Sequence, residues 1–133
     1  MASSTTARVP RIVAGLAIAG LGIALAFMPL MVAGALSRPH ETSSQMINLR
    51  ASWGGTLLGL GLFVAWLESL RPIRRMLIGL VMWSMVGIAA ARLLGFVLDG
   101  GPDAAQWVWL ILEIILVAVG AFALRRNPSG ARA

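Results

Sequence analysis

Arg50, Arg92 and Glu113 are ionisable residues set inside, or at the shoulders of, long apolar runs. A charge at the centre of a membrane helix costs roughly 2.5–3.5 kcal/mol on insertion scales, so such groups face protein or water and take partners. Depth follows from helical rise, about 1.5 Å per residue. Arg92 precedes Asp99 by seven residues and lies about 10 Å below that end of its run; Glu113 follows Asp103 by ten and lies about 15 Å below. Side chains lean toward the N-terminus of their own helix. In two antiparallel helices Arg92 and Glu113 therefore lean toward each other, and an Arg92–Glu113 ion pair is expected. Two kinds of chemistry suit it. One is structural, locking two helices that lipid gives no hydrophobic reason to associate. The other is a site, with an anion or lipid headgroup on Arg92 and Arg50, or a proton carried by Glu113. Arg50 is less constrained: it follows Met46 by only four residues, near enough to the end of its run to snorkel outward to the headgroups.

Other chemistry is sparse. The chain has no Cys and no Tyr, and its one His, His40, is next to Glu41 in a polar stretch that reads as solvent-facing. There is no HExxH, GxSxG, P-loop or dinucleotide fingerprint. Asp99 and Asp103 read as turn and cap residues rather than a catalytic carboxylate pair. The methionines, among them Met28, Met31, Met76 and Met82, read as gap-fillers rather than copper ligands. No catalytic residue, metal site or cofactor is expected.

The elements that must position the charges come from composition. Of 133 residues, 59% are hydrophobic and 12% charged, with mean hydropathy +0.86. A soluble domain carries roughly 45–50% apolar and about 25% charged residues, so the chain reads as a single integral membrane domain over 1–133. Apolar stretches at about 12–36, 47–67, 73–98 and 104–124 each reach the ~20 residues a membrane-crossing helix needs. They lack the alternation of barrel strands. The expected fold is all-α, an integral membrane four-helix bundle. Pro29 should kink the first helix or end its regular part. Thr42 with Gln45, and Asp103 with Gln106, have capping-box spacing at the starts of the second and fourth. The first stretch is longer than the roughly 7–15 apolar residues of a signal peptide, so it reads as a span despite the cleavage-like Ala33-Gly34-Ala35.

Net charge is +6 and every basic residue is Arg. The arginines cluster beside the apolar runs without interleaved stacking aromatics, which argues for a membrane and against nucleic acid. Arg8, Arg11, Arg71, Arg74, Arg75, Arg125, Arg126 and Arg132 fall on one side of the expected topology; Arg38 and Arg50 fall on the other with Glu41, Asp99 and Asp103. The positive-inside rule then puts both termini in the cytoplasm. Small residues mark close helix contacts: Gly54, Gly55 and Gly59 in the second run, Gly87, Ala91 and Gly95 in the third, Gly15 and Ala19 in the first. Trp53, Trp107 and Trp109 fit an outer aromatic belt and Trp66 an inner one, whereas Trp83 falls near mid-bilayer and reads as packing.

Asn48-Leu49-Arg50-Ala51-Ser52-Trp53-Gly54-Gly55, then Gly59-Leu60-Gly61-Leu62-Phe63, and Ala91-Arg92-Leu93-Leu94-Gly95 with Asp99-Gly100, resemble a family of small bacterial four-span membrane proteins, domain of unknown function 4345. The likeness covers about 12–126; Trp53 stands where that family usually has Tyr. It implies four helices and directs attention to Asn48, Arg50, Gly54, Gly55, Arg92 and Asp99, but implies no activity. With Glu113 and Trp53 added, the candidate ligand- or lipid-binding residues are Asn48, Arg50, Trp53, Arg92 and Glu113. A looser likeness, to the four-span scaffold protein of eukaryotic sterol biosynthesis, implies tethering of membrane enzymes. The expectation is a non-catalytic accessory, scaffold or lipid-associated protein of the bacterial inner membrane. Its partners would be membrane lipids and a membrane protein or second copy. The alternative is a small oligomeric transporter or proton-coupled permeation unit using Glu113 and Arg92.

Overall fold

The computed structural model describes residues 3–37, 41–67 and 73–126, with the side chains of 3–7 outside that description. Among these residues there are helices and turns and no strand. Arg38, His40, Arg71 and Arg132, to which the sequence assigns loop or flanking roles, lie outside the described residues.

The first apolar run is two helices, α1 (Ser3–Phe27) and α2 (Pro29–Leu36). Pro29 has no N–H for the Leu25 carbonyl, and its ring crowds the preceding turn. The chain breaks at Met28, with φ -119° and ψ 54°. Pro29 then opens α2 in the first turn, where no N–H is needed. At its other end α1 begins well before residue 12 and takes Pro10 into the helix.

The second run begins earlier than residue 47. Thr42 caps α3 (Ser43–Leu49) through a reciprocal box. The Thr42 hydroxyl accepts from the Gln45 N–H at 3.3 Å, and the Gln45 side chain accepts from the Thr42 N–H at 3.2 Å. A π-helical segment, Arg50–Gly55, follows, and then α4 (Thr56–Trp66). Helical dihedrals at Leu49 and Thr56 make 43–66 one continuous rod with a widened turn inside it. The last two helices are α5 (Ile73–Leu98) and α6 (Ala104–Arg126). Between them Gly100 (φ 66°) and Gly101 (φ 54°) adopt left-handed conformations. Glycine reaches these without strain, because it has no Cβ to clash. Among the described residues three helices are long and apolar enough to cross a membrane: α1 over Arg8–Phe27, α5 and α6.

The helices pack as an open row. α1 lies against the π segment and α4, these lie against α5, and α5 lies against α6. Among the described residues α1 shares no substantial face with α5 or α6. Small residues make the close contacts. Gly54 and Gly55 are adjacent but serve opposite neighbours: a Cβ on Gly54 would be 2.5 Å from the Ala26 nitrogen of α1, and one on Gly55 would be 2.6 Å from the Ile88 Cα of α5. Gly59 faces the Trp83 and Ser84 backbone, and Gly87 faces Gly55 and Gly59. Gly95 lies against the Ile47 side chain, and Ala91 is buried. Trp83 packs on Trp66 with ring centroids 5.3 Å apart. The outermost helix, α6, buries only Gln106, Leu110, Glu113 and Gly120 fully. The first three form one stripe at three- and four-residue spacing, and Gly120 continues it two turns on.

Gly55→Ala should destabilise the protein by about 1–3 kcal/mol, because its methyl meets main chain that cannot rotate away. Gly20→Ala, where a Cβ meets nothing within 4 Å, should be neutral or stabilising by up to about 1 kcal/mol. Thermal unfolding of the two variants in the same detergent checks both.

Candidate functional site

Both buried arginines lie toward the end of the row where α2 leads to α3 and α5 to α6. Arg50 opens the π segment and is 6% exposed. Its Nε donates to Asp99 Oδ2 at 2.7 Å and its Nη2 to Asp99 Oδ1 at 2.8 Å. This is a bidentate fork on the residue just past the end of α5. The third arm, Nη1, donates to the Ala26 carbonyl of α1. That acceptor lies just before the break at Pro29, where regular backbone bonding stops. Arg50 thus joins three elements, and it does not reach outward to headgroups as its position near the start of the run suggests. A carboxylate 49 residues further along the chain captures it first.

Arg92 and Glu113 form the expected pair, each 5% exposed. Arg92 Nη2 is 2.8 Å from Glu113 Oε1, and Nε donates to Oε1 and Oε2 at 3.0 and 3.1 Å. Nη1 donates to Asn48 Oδ1 at 3.1 Å and to Gln106 Oε1. Gln106, 2% exposed, donates from Nε2 to the Ser44 carbonyl at 3.3 Å. The pair is thereby held by α3, α5 and α6 together.

Above it a polar rim closes the end of the row. Ser44 Oγ donates to Asp103 Oδ2 at 2.6 Å, and Ser43 Oγ donates to the Asp99 carbonyl at 3.1 Å. Asp103 Oδ1 accepts from the Gln106 N–H at 2.9 Å. Asp103 therefore caps α6. The spacing of Asp103 and Gln106 suggests a reciprocal box, but the Gln106 side chain turns inward to Arg92. The Ser44 hydroxyl, and after it the Gln106 N–H, hold the Asp103 carboxyl below the usual carboxylate range.

The structure therefore brings Asn48, Arg92 and Glu113 together and sets Arg50 in a separate cluster. Trp53 belongs to neither; it is 43% exposed on an open groove of about 590 Å³ along α3, the π segment and α4. Sequence reasoning missed what two residues do. In the sequence Asp99 reads as a turn residue and Gln106 as half of a capping box, and neither spacing points to a second duty. For Asp99 the signal was the family resemblance; for Gln106 there was none beyond a polar residue seven positions before Glu113. Among the described residues no three His, Cys, Asp or Glu side chains gather as a metal site.

The class that emerges is an all-helical protein with membrane-compatible helices, cross-linked by two buried guanidinium–carboxylate pairs. It belongs to the family described as Domain of unknown function (DUF4345), whose profile matches residues 6–124. No curated protein and no solved structure matches the chain, so the looser sterol-scaffold likeness has no match behind it.

Glu113→Leu leaves a buried guanidinium without its counter-ion and should cost about 3–5 kcal/mol, while exchanging the two as R92E/E113R should recover part of that loss. Folded yield and melting temperature in detergent read both. Because folding lowers the Asp103 pKa, its contribution is present above the ordinary carboxylate value, about 4, and is lost as pH falls through the folded value. Asp103→Asn should therefore lower stability at neutral pH and flatten the acid limb of a melting-temperature profile.

Proposed function

We propose that the chain is a four-span protein of the bacterial inner membrane with both ends in the cytoplasm. It acts as a non-catalytic accessory or scaffold that associates with membrane lipids and with a membrane-protein partner or a second copy. The 43–66 rod supplies the span beyond α1, α5 and α6. At a rise of about 1.5 Å per residue it is long enough to cross. The arginine-rich side of the sequence supports the orientation.

The observation that carries this reading is the saturation of the buried charges. Arg50 is taken up by Asp99 and Ala26, and Arg92 by Glu113, Asn48 and Gln106. A guanidinium already forked onto a carboxylate offers little to an anionic substrate, and a carboxylate held by two arms of an arginine is poorly placed to carry protons. Broad exposed apolar faces on α1 and α6, including Leu16, Leu21, Ile111, Ile115 and Val119, suit lipid or a partner helix.

The test combines topology and transport. Accessibility labelling of single cysteines at both ends should report the cytoplasmic side. Native mass spectrometry from gentle detergent should retain lipid or a protein partner. Reconstituted vesicles should show no proton flux that depends on Glu113; such a flux, lost in Glu113→Gln, would establish the transporter reading instead.

A further inference from the structure

The groove beside Trp53 has a chemistry that helix packing uses only in part: Leu49 packs with Val32 and Ala33, and Asn48 accepts from Arg92. Its polar side is Gln45, Asn48, Ser52 and Thr56, spaced by three and four residues along one face of the rod. Its apolar side is Leu49, Trp53 and Leu57. Asn48 and Ser52 are exposed on the face of the rod that carries Gln45 and Thr56. Asn48 is level with Arg92, whose Nη1 donates to it. By helical rise that is about 10 Å below the α5–α6 turn, and Thr56 is about 12 Å deeper still. Hydroxyl and amide groups facing hydrocarbon at that depth are costly unless something completes their hydrogen bonds. Among the described residues the Ser52 and Thr56 hydroxyls, the Trp53 indole N–H and the Asn48 amide nitrogen have no hydrogen-bond partner.

We infer that this groove is a binding site for a long-chain amphiphile with an uncharged, oxygen-rich head, such as the glycerol-ester region of a neutral lipid. The inference rests on the membrane-spanning part of the function proposed above and adds the ligand class. Three features select the ligand. The unpartnered groups include donors and hydroxyls that suit ester and alcohol oxygens. No residue lining the groove is charged, and the guanidinium that donates to Asn48, Arg92, is neutralised by Glu113. The third feature is size, about 590 Å³. Small-molecule sites run from roughly 300 to about 1000 Å³. A transmembrane helix about 10 Å across, lying along several turns, needs more room than this. The head would lie on Asn48, Ser52 and Thr56, and the chain would lie along Leu49, Trp53 and Leu57. The widened π turn spans the middle of the site, where departures from regular α-helix are frequently functional.

The test uses the full chain in phosphatidylcholine nanodiscs doped with a diazirine-bearing diacylglycerol. Photolabel should concentrate on the peptide covering 45–57, and unlabelled dioleoylglycerol should compete it away while phosphatidylglycerol does not. Ser52→Phe, which fills the groove, and Asn48→Leu should each reduce labelling by about fivefold or more, roughly the worth of one hydrogen bond. Thr56→Val, which removes the hydroxyl at nearly constant shape, should do the same with an unchanged melting temperature and guards against a misfolded variant. Uncompeted label spread evenly over α1 and α6 would overturn the site. Competition by phosphatidylglycerol alone would overturn its uncharged character, and crosslinks to a second copy at Trp53 would assign the groove to an interface. Topology labelling on the same sample keeps failure of the site distinct from failure of the membrane-spanning reading.

Discussion

A guanidinium among apolar side chains must be neutralised by protein, and this fold is arranged around meeting that requirement twice. Arg50 and Arg92 are each nearly inaccessible, and each receives a carboxylate from another helix or helix end. Residual donors go to groups that are themselves short of partners: the Ala26 carbonyl at a helix break, and the Asn48 and Gln106 side-chain carbonyls. Between them the two clusters tie α1, the 43–66 rod, α5 and α6 at one end of the row. At the opposite end, small-residue contacts such as Gly15 against Ala65 hold α1 to α4.

Two departures from regular helix make this arrangement feasible. The break at Met28 ends regular backbone bonding beside the carbonyl that Arg50 uses. The π segment fits one extra residue into a turn, which re-aims the side chains on either side of it. Asn48 then faces Arg92, Arg50 faces α1 and Asp99, and the paired glycines admit α1 on one side and α5 on the other. Backbone irregularity, close packing and charge pairing are consequences of one local sequence, Asn48 to Gly55.

The row is open rather than closed. α1 and α6 bury narrow stripes and leave wide apolar faces uncovered, and the rod between them keeps a polar-edged groove on its free side. In water such faces would drive aggregation; among lipid chains they need no further explanation. The groove is different, because beside hydrocarbon its hydroxyl and amide groups would need partners.

Helical class and the approximate extents of the long runs were legible in the sequence, because hydropathy and the Pro and Gly breaks are local properties. The Arg92–Glu113 contact was legible too: one acid and one base at similar depth in adjacent antiparallel helices have few other partners. The π turn, the capture of Arg50 by Asp99, the diversion of Gln106 from its cap and the openness of the row were decided only in three dimensions. Each depends on which neighbours the fold brings together, from 14 residues apart for Gln106 and Arg92 to 49 for Arg50 and Asp99. Asp99 satisfies a turn and Gln106 a capping pattern whether or not an arginine lies beside them, so local spacing alone leaves their second partner undetermined.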